Sequence, residues 1–103
     1  MNPISVGLLG IGTVGGGTWN VLLRNQEEIT RRAGRGIRIT RVADMELARA
    51  RQLVGGAAEV TADAWEVVND PAIDIVVELI GGRTFALELV LKAIANGKHV
   101  VTA

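Results

Sequence analysis

The stretch that most constrains this chain is "ISVGLLGIGTVGGG", residues 4–17, where a short apolar run meets a series of glycines. The apolar run, residues 4–9, suits a strand that is covered on both faces. Gly10, Gly12 and Gly15 follow in the spacing G-x-G-x-x-G. This motif alone is weak evidence, but a strand before it and a helix after it are the context in which it binds a dinucleotide. We interpret it as a phosphate-binding turn, and the alternative is a structural bend between strand and helix.

Each glycine of this turn has a separate role in the dinucleotide interpretation. Gly10 permits the tight turn, Gly12 lets the backbone approach the pyrophosphate, and Gly15 lets helix and strand pack closely. Unpaired amides at the helix N-terminus would hold the phosphates. Thr13 adds a hydroxyl at the same place, or serves only as an N-cap.

Apolar and helical periodicity continue through the chain in alternation. Strands are predicted at 4–9, 37–44, 73–80 and 99–103, and helices after the glycine turn and at 45–56, 61–70 and 84–96. Thr61 is a candidate N-cap for the third helix, and Trp19 and Trp65 are expected to pack in helical segments. This alternation predicts an α/β fold, a doubly wound parallel sheet with right-handed crossovers. Residues 1–103 are expected to form one dinucleotide-binding domain.

Composition excludes several classes of function. The chain has no cysteine, which excludes disulfides, thiolate zinc sites and a cysteine nucleophile, and which fits a cytoplasmic protein. Eleven basic residues balance eleven acidic ones, so we expect no nucleic-acid or membrane partner. No run of residues is long and apolar enough for a membrane span. His99 is the only histidine and is expected at the surface, so no catalytic or metal-binding residue is predicted.

Asp44 stands at the end of the second predicted strand. A carboxylate there accepts hydrogen bonds from the adenosine ribose and repels a 2′-phosphate, which favours NAD. Arg41, Arg49 and Arg51 are near enough in sequence to offset that repulsion, so NADP stays open. The alternative role of Asp44 is to cap the helix that follows.

A second glycine-rich loop, "ELIGGRT" (78–84), ends the third predicted strand. In a doubly wound sheet this loop faces the ligand crevice, where Gly81 and Gly82 would let the backbone lie against the cofactor. A tight strand-to-helix turn is the alternative. Glu78 is expected at the end of the strand in a paired structural role rather than a catalytic one.

Three segments together, "GLLGIGTVG" (7–15), "DIVVELIGG" (74–82) and "ALELVLKAIANGKHVVTA" (86–103), resemble the amino-terminal NAD(P)-binding domain of homoserine dehydrogenase. The resemblance implies a Rossmann-type sheet and hydride transfer between a nicotinamide cofactor and the aspartate-semialdehyde/homoserine pair, a step toward threonine, methionine and isoleucine. It also implies a set of residues beside the cofactor: Gly10, Ile11, Gly12, Thr13, Val14, Gly15, Gly81, Gly82, Thr102 and Ala103.

The chain departs from the pattern it resembles in two places. Arg83, Thr84 and Phe85 stand where the family has an aromatic or small residue and then a proline. The chain also stops before the family's asparagine and its proton-transferring lysine. We therefore expect a fragment that lacks the catalytic and substrate domain, binds cofactor without turnover, exposes apolar surface and self-associates, while the full-length protein is a homo-oligomer. The alternatives are a non-catalytic dinucleotide-sensing module and the cofactor domain of another amino-acid or sugar dehydrogenase.

Overall fold

A computed structural model describes residues 3–11, 15–33, 36–80 and 84–102 of the chain. Strands and helices alternate along these residues. They are β1 (Ile4–Leu9), α1 (Gly15–Ala33), β2 (Ile37–Ala43), α2 (Leu47–Val54), β3 (Glu59–Thr61), α3 (Ala64–Val68), β4 (Ile75–Glu78), α4 (Thr84–Ala95) and β5 (His99–Thr102).

The strands form one parallel sheet in the order β3-β2-β1-β4-β5. The chain runs outward from β1 through β2 to β3, then crosses back to place β4 on the other side of β1. This reversal of direction confirms the predicted doubly wound α/β fold. In such sheets the crevice where the order reverses, between β1 and β4 at their carboxyl ends, is the usual place for a ligand.

Each face of the sheet has its own apolar core. Leu8 and Leu9 are both fully buried but point to opposite faces, because successive strand residues alternate. On one face, Leu8 packs with Trp19 of α1 and with residues of α2. On the other, Leu9 packs with residues of α3 and α4, among them Val67 and Leu89. The prediction of a first strand covered on both faces is confirmed, as is a packing role for Trp19.

Helix α3 approaches β1 very closely, and Gly7 makes this possible. A Cβ atom built on Gly7 would lie 2.5 Å from Cγ1 of Val67 and 3.0 Å from Cδ1 of Ile73. No side chain fits at that distance from a packed core. The glycine therefore sets the separation between the sheet and α3, which carries one wall of the cavity described below.

The sequence predicts four strands, but the described residues form five, and the prediction misses β3. Strand β3 has three residues and pairs with β2, with Glu59 opposite Arg41. Thr61 is the last residue of this strand and not an N-cap. Asp63 caps α3 instead, with Oδ1 accepting a hydrogen bond from the N–H of Trp65 at 3.0 Å. Three residues with an exposed glutamate give no apolar run that would reveal a strand.

The first predicted strand, 4–9, has the same bounds in the structure, and several other predicted elements are present with shorter bounds. The third predicted strand, 73–80, is Ile75–Glu78 in the structure, and the second helix, 45–56, is Leu47–Val54. No helix in the described part of the chain combines the length and apolar character that a membrane span requires.

Candidate functional site

A cavity of about 710 Å³ opens at the carboxyl edge of the sheet. Its walls come from the segments that leave β1, β2, β3 and β4, which the parallel arrangement brings to one edge. The lining residues are Gly10, Ala43, Asp44, Met45, Glu46, Arg49, Ala62, Asp63, Ala64, Ile80 and Phe85.

Gly10 forms the floor of the turn that leaves β1. Its φ of +86° is a left-handed conformation that favours glycine, and its N–H donates to the carbonyl of Ala43 at 2.7 Å. An added Cβ would lie 3.2 Å from Cγ1 of Ile80. The tight turn predicted at Gly10 is therefore present, and α1 begins at Gly15. Gly12, Thr13 and Val14 lie outside the described residues.

Asp44 directly follows β2 and connects it to the glycine turn. Its Oδ2 accepts a hydrogen bond from the N–H of Ile11, and its Oδ1 accepts one from the N–H of Glu46, both at 2.8 Å. The N-cap of α2 is Glu46, not Asp44, so the capping alternative is wrong as stated. The half-buried carboxylate instead bridges two loops at the mouth of the cavity.

The three arginines near Asp44 in sequence separate in space. Arg41 contacts carboxylate oxygens of three side chains, which are Glu59 at 2.8 Å, Glu66 at 3.7 Å and Asp70 at 3.9 Å. The hydrogen bond to Glu59 raises the pKa of Arg41, and nearby negative charge reinforces this shift against the opposing effect of burial. Arg49 lines the cavity, and its Nη1 lies 4.0 Å from Oε2 of Glu46. Arg51 is exposed on α2 and is not among the cavity residues.

The second glycine loop borders the same cavity. Gly81 and Gly82 lie outside the described residues, but Ile80 before them and Phe85 after them both line the cavity. Glu78 is the last residue of β4, as expected, and is 7% exposed.

Other predicted residues lie away from the described cavity walls. Thr102 ends β5 opposite Glu78 in the sheet, and it is not among the residues lining the cavity; Ala103 is outside the described range. His99 begins β5 at the opposite edge of the sheet and is exposed. Among the described residues, no group of three or more His, Cys, Asp or Glu side chains could hold a metal ion.

The apolar walls were not found by sequence reasoning. Met45 is 87% exposed and Phe85 47% exposed, so both present large apolar surfaces to solvent at the cavity. Trp65 packs edge-on against the Phe85 ring, with centroids 6.1 Å apart, and this confirms its packing role. Their positions in the sequence could have revealed them, because each of these apolar wall residues follows the carboxyl end of a strand.

Gly10, Asp44 and the cavity lie together at the carboxyl edge of the sheet, where parallel α/β sheets usually bind ligands, and known proteins resemble this chain. The family model described as homoserine dehydrogenase, NAD binding domain, matches residues 10–103. A homoserine dehydrogenase from Methylobacillus glycogenes is 75% identical over the whole chain, and one from Pseudomonas aeruginosa is 60% identical. The crystal structure of a homoserine dehydrogenase from Thiobacillus denitrificans covers 99% of the chain at 65% identity, with a TM-score of 0.87.

The chain spans about a quarter of the length of these proteins: 25% and 23% of the two relatives and 23% of the crystallised chain. Over that quarter the two relatives match all 103 residues of the chain, and the family model matches residues 10–103. The chain belongs to the homoserine dehydrogenase family, of which it forms the NAD-binding domain.

Proposed function

We propose that this chain holds NAD(P) along the carboxyl edge of its sheet, with the adenosine in the cavity and the ribose hydroxyls at Asp44. One observation carries the proposal. The Asp44 carboxylate lies at the cavity mouth and is held by hydrogen bonds that include those from the N–H of Ile11 to Oδ2 and from the N–H of Glu46 to Oδ1. A carboxylate oxygen can accept more than one hydrogen bond, so a fixed carboxylate suits the two neighbouring ribose hydroxyls.

The cavity beside Asp44 suits the adenine ring. Met45 and Phe85 expose large apolar surfaces, and Ala62 and Ile80 complete a wall with little polar character. Ligand sites are mostly apolar, with a few polar groups that fix orientation. A flat ring between these side chains would remove their exposed surface from water, which stabilises the complex by roughly 25 cal/mol per Å² of apolar area.

The phosphates would lie over the turn from Gly10 to Gly15. Helix α1 begins at Gly15 and runs for 19 residues. The first N–H groups of a helix have no partner within it and carry partial positive charge, so they attract phosphate oxygens.

The nicotinamide half would then extend toward the second glycine loop and the end of β5. Gly81, Gly82 and Thr102 are the residues that we propose on that side. When bound, the nicotinamide supplies a site that accepts or donates a hydride. The residues of this chain bind and orient the cofactor, and no described side chain is assigned to proton transfer.

The activity of the whole protein follows as a further part of the proposal. The relatives are named homoserine dehydrogenases, and we propose that the whole protein interconverts homoserine and aspartate semialdehyde in the cytoplasm as a homo-oligomer, toward threonine, methionine and isoleucine. Coupled assay of the full-length enzyme with homoserine and NAD(P) tests this activity. Absence of product from full-length protein that binds cofactor would contradict it.

Cofactor binding is tested by two matched glycine substitutions. Gly10 and Gly56 have nearly the same backbone conformation, with φ of +86° and +83°. An added Cβ meets Ile80 at Gly10 and nothing within 4 Å at Gly56. Gly10→Ala and Gly56→Ala therefore share the left-handed strain of about 1–2 kcal/mol, but only the first changes the cavity.

We expect NADH, followed by its nicotinamide fluorescence, to bind the wild type and Gly56→Ala with the same affinity. Binding to Gly10→Ala should be at least about tenfold weaker, because the turn must shift relative to Ile80. Circular dichroism checks that each variant is folded. A folded wild type without saturable binding, or equal effects of the two substitutions, would overturn the proposal.

A further inference from the structure

We propose that Glu46 makes this site selective for NAD over NADP, a role that rests on the proposed binding of the dinucleotide. Glu46 lines the cavity directly beside Asp44, and its N–H donates to the Asp44 carboxylate. A 2′-phosphate on a ribose held by Asp44 would therefore be brought close to a second carboxylate.

The charges around the cavity disfavour an additional phosphate. Asp44, Glu46 and Asp63 contribute three negative charges, and Arg49 contributes the one positive charge among the described lining residues. The 2′-phosphate of NADP would bring further negative charge to a cavity whose described lining residues have a net charge of −2. Like charges a few ångströms apart repel even when partly solvated.

Arg49 is the residue that could reverse this preference. Its Nη1 lies 4.0 Å from Oε2 of Glu46, one helical turn away on α2. Both side chains are largely exposed, so the ion pair itself is weak. Glu46 therefore acts mainly through its own charge, and to a smaller extent by drawing the guanidinium toward itself and away from an incoming phosphate.

Arg41, near the end of β2, is held by other carboxylates and does not offer its charge to a 2′-phosphate. Arg41 is surrounded by Glu59, Glu66 and Asp70, and its strongest contact is the 2.8 Å hydrogen bond to Glu59. Moving its guanidinium to the cavity would leave these carboxylates without their cation. Beside the carboxylates of Asp44 and Asp63, Glu46 and Arg49 therefore contribute opposite charges to what a 2′-phosphate meets.

The test measures the dissociation constants of NADH and NADPH for the full chain and divides the NADPH constant by the NADH constant. We expect the wild type to bind NADH more tightly by about tenfold or more. Glu46→Gln keeps the size of the side chain and removes its charge. It should lower the ratio about three- to tenfold, mainly by tightening NADPH, and Arg49→Gln should raise it.

Glu88→Gln is the matched control, because it removes one exposed carboxylate from α4, away from the cavity lining. It should leave the ratio unchanged, and raised salt should reduce the difference between wild type and Glu46→Gln. Tighter NADPH binding by the wild type, or an unchanged ratio in Glu46→Gln, would overturn the proposal while leaving cofactor binding intact. If neither NADH nor NADPH bound the folded chain, the proposed function would be overturned, and the selectivity with it.

Discussion

The two edges of the sheet both contain a cavity and charged side chains, but they use them differently. The amino edge has a cavity of about 590 Å³, lined in part by Asp74, Lys98 and His99. There Lys98 is 8% exposed, and its Nζ donates to the backbone carbonyls of Asp70 and of Ile73, the latter at 2.7 Å.

At the amino edge the polar groups bind the chain itself. Asp74 accepts a hydrogen bond from the N–H of Ser5, and the side chain of Asn96 donates to the carbonyl of Val68. The carboxyl edge also fixes Asp44 to the backbone, but it adds exposed apolar side chains, Met45 and Phe85. A fixed carboxylate beside an uncovered apolar wall suits a ligand, whereas polar groups that bind the chain suit stability.

The largest expected effect comes from breaking the amino edge at Lys98. Lys98→Met keeps the length of the side chain but removes its charged donor from the carbonyls of Ile73 and Asp70, of which the Asp70 carbonyl keeps the N–H of Ile73 at 3.1 Å. We expect the free energy of unfolding to fall by about 2–4 kcal/mol, since an unsatisfied buried acceptor costs about 1–3 kcal/mol and the second lost hydrogen bond is also to a charged group. Urea denaturation measures the loss, with Lys92→Met, exposed on α4, as the control. Stability equal to the wild type, or weakened NADH binding by the folded variant, would contradict a purely structural role.

A matched pair of carboxylates compares the two edges directly. Asp44 and Asp74 each accept a hydrogen bond from a backbone N–H of β1 or of the turn after it, at 2.8 and 3.0 Å. Asp44→Asn should weaken NADH binding about tenfold, because the charged acceptor for the ribose hydroxyls is lost. Asp74→Asn should leave NADH binding unchanged.

Fluorescence titration of both variants gives the comparison. Both substitutions should lower the free energy of unfolding by about 1 kcal/mol, through the weakened bond to the backbone. Equal NADH affinity in the two variants would remove Asp44 from the ribose site.

The sequence predicted most of the sheet because its strands and helices have strong local signals. The apolar run of β1 and the glycine turn with its Gly10 could be located from spacing alone, and Asp44 from its place after β2. β3 was not predicted because it is only three residues long and depends on pairing with β2. Because β3 was not predicted, the sequence could not place Ala62, which follows this strand, in the cavity wall.

Arg41 shows a second limit of sequence reasoning. Its position near Asp44 in the sequence suggested that it could offset the repulsion between Asp44 and a 2′-phosphate, but its partners Glu59, Glu66 and Asp70 are distant in the chain. Only the pairing of β2 with β3 and the packing of α3 bring these charges together. Local spacing therefore locates the turn and the carboxylate, while charge balance depends on the assembled sheet.

The smallest expected effect concerns the exposed apolar side chains, which occur at two places. Met45 lines the cavity, while Leu87, Leu91 and Ile94 form an exposed stripe on α4, each 56% exposed. Neither Met45→Gln nor Leu91→Gln should change the free energy of unfolding by more than about 0.5 kcal/mol, because both side chains are largely in water.

Their effects on function should differ. Met45→Gln should weaken NADH binding about threefold, since it replaces part of the apolar wall that adenine would cover. Leu91→Gln should leave NADH binding unchanged and instead reduce the self-association expected of the stripe, measured by sedimentation velocity at several concentrations. If Leu91→Gln weakened NADH binding as much as Met45→Gln does, exposed apolar surface would not distinguish the ligand edge. The contrast would then rest on Asp44 and the glycine turn alone.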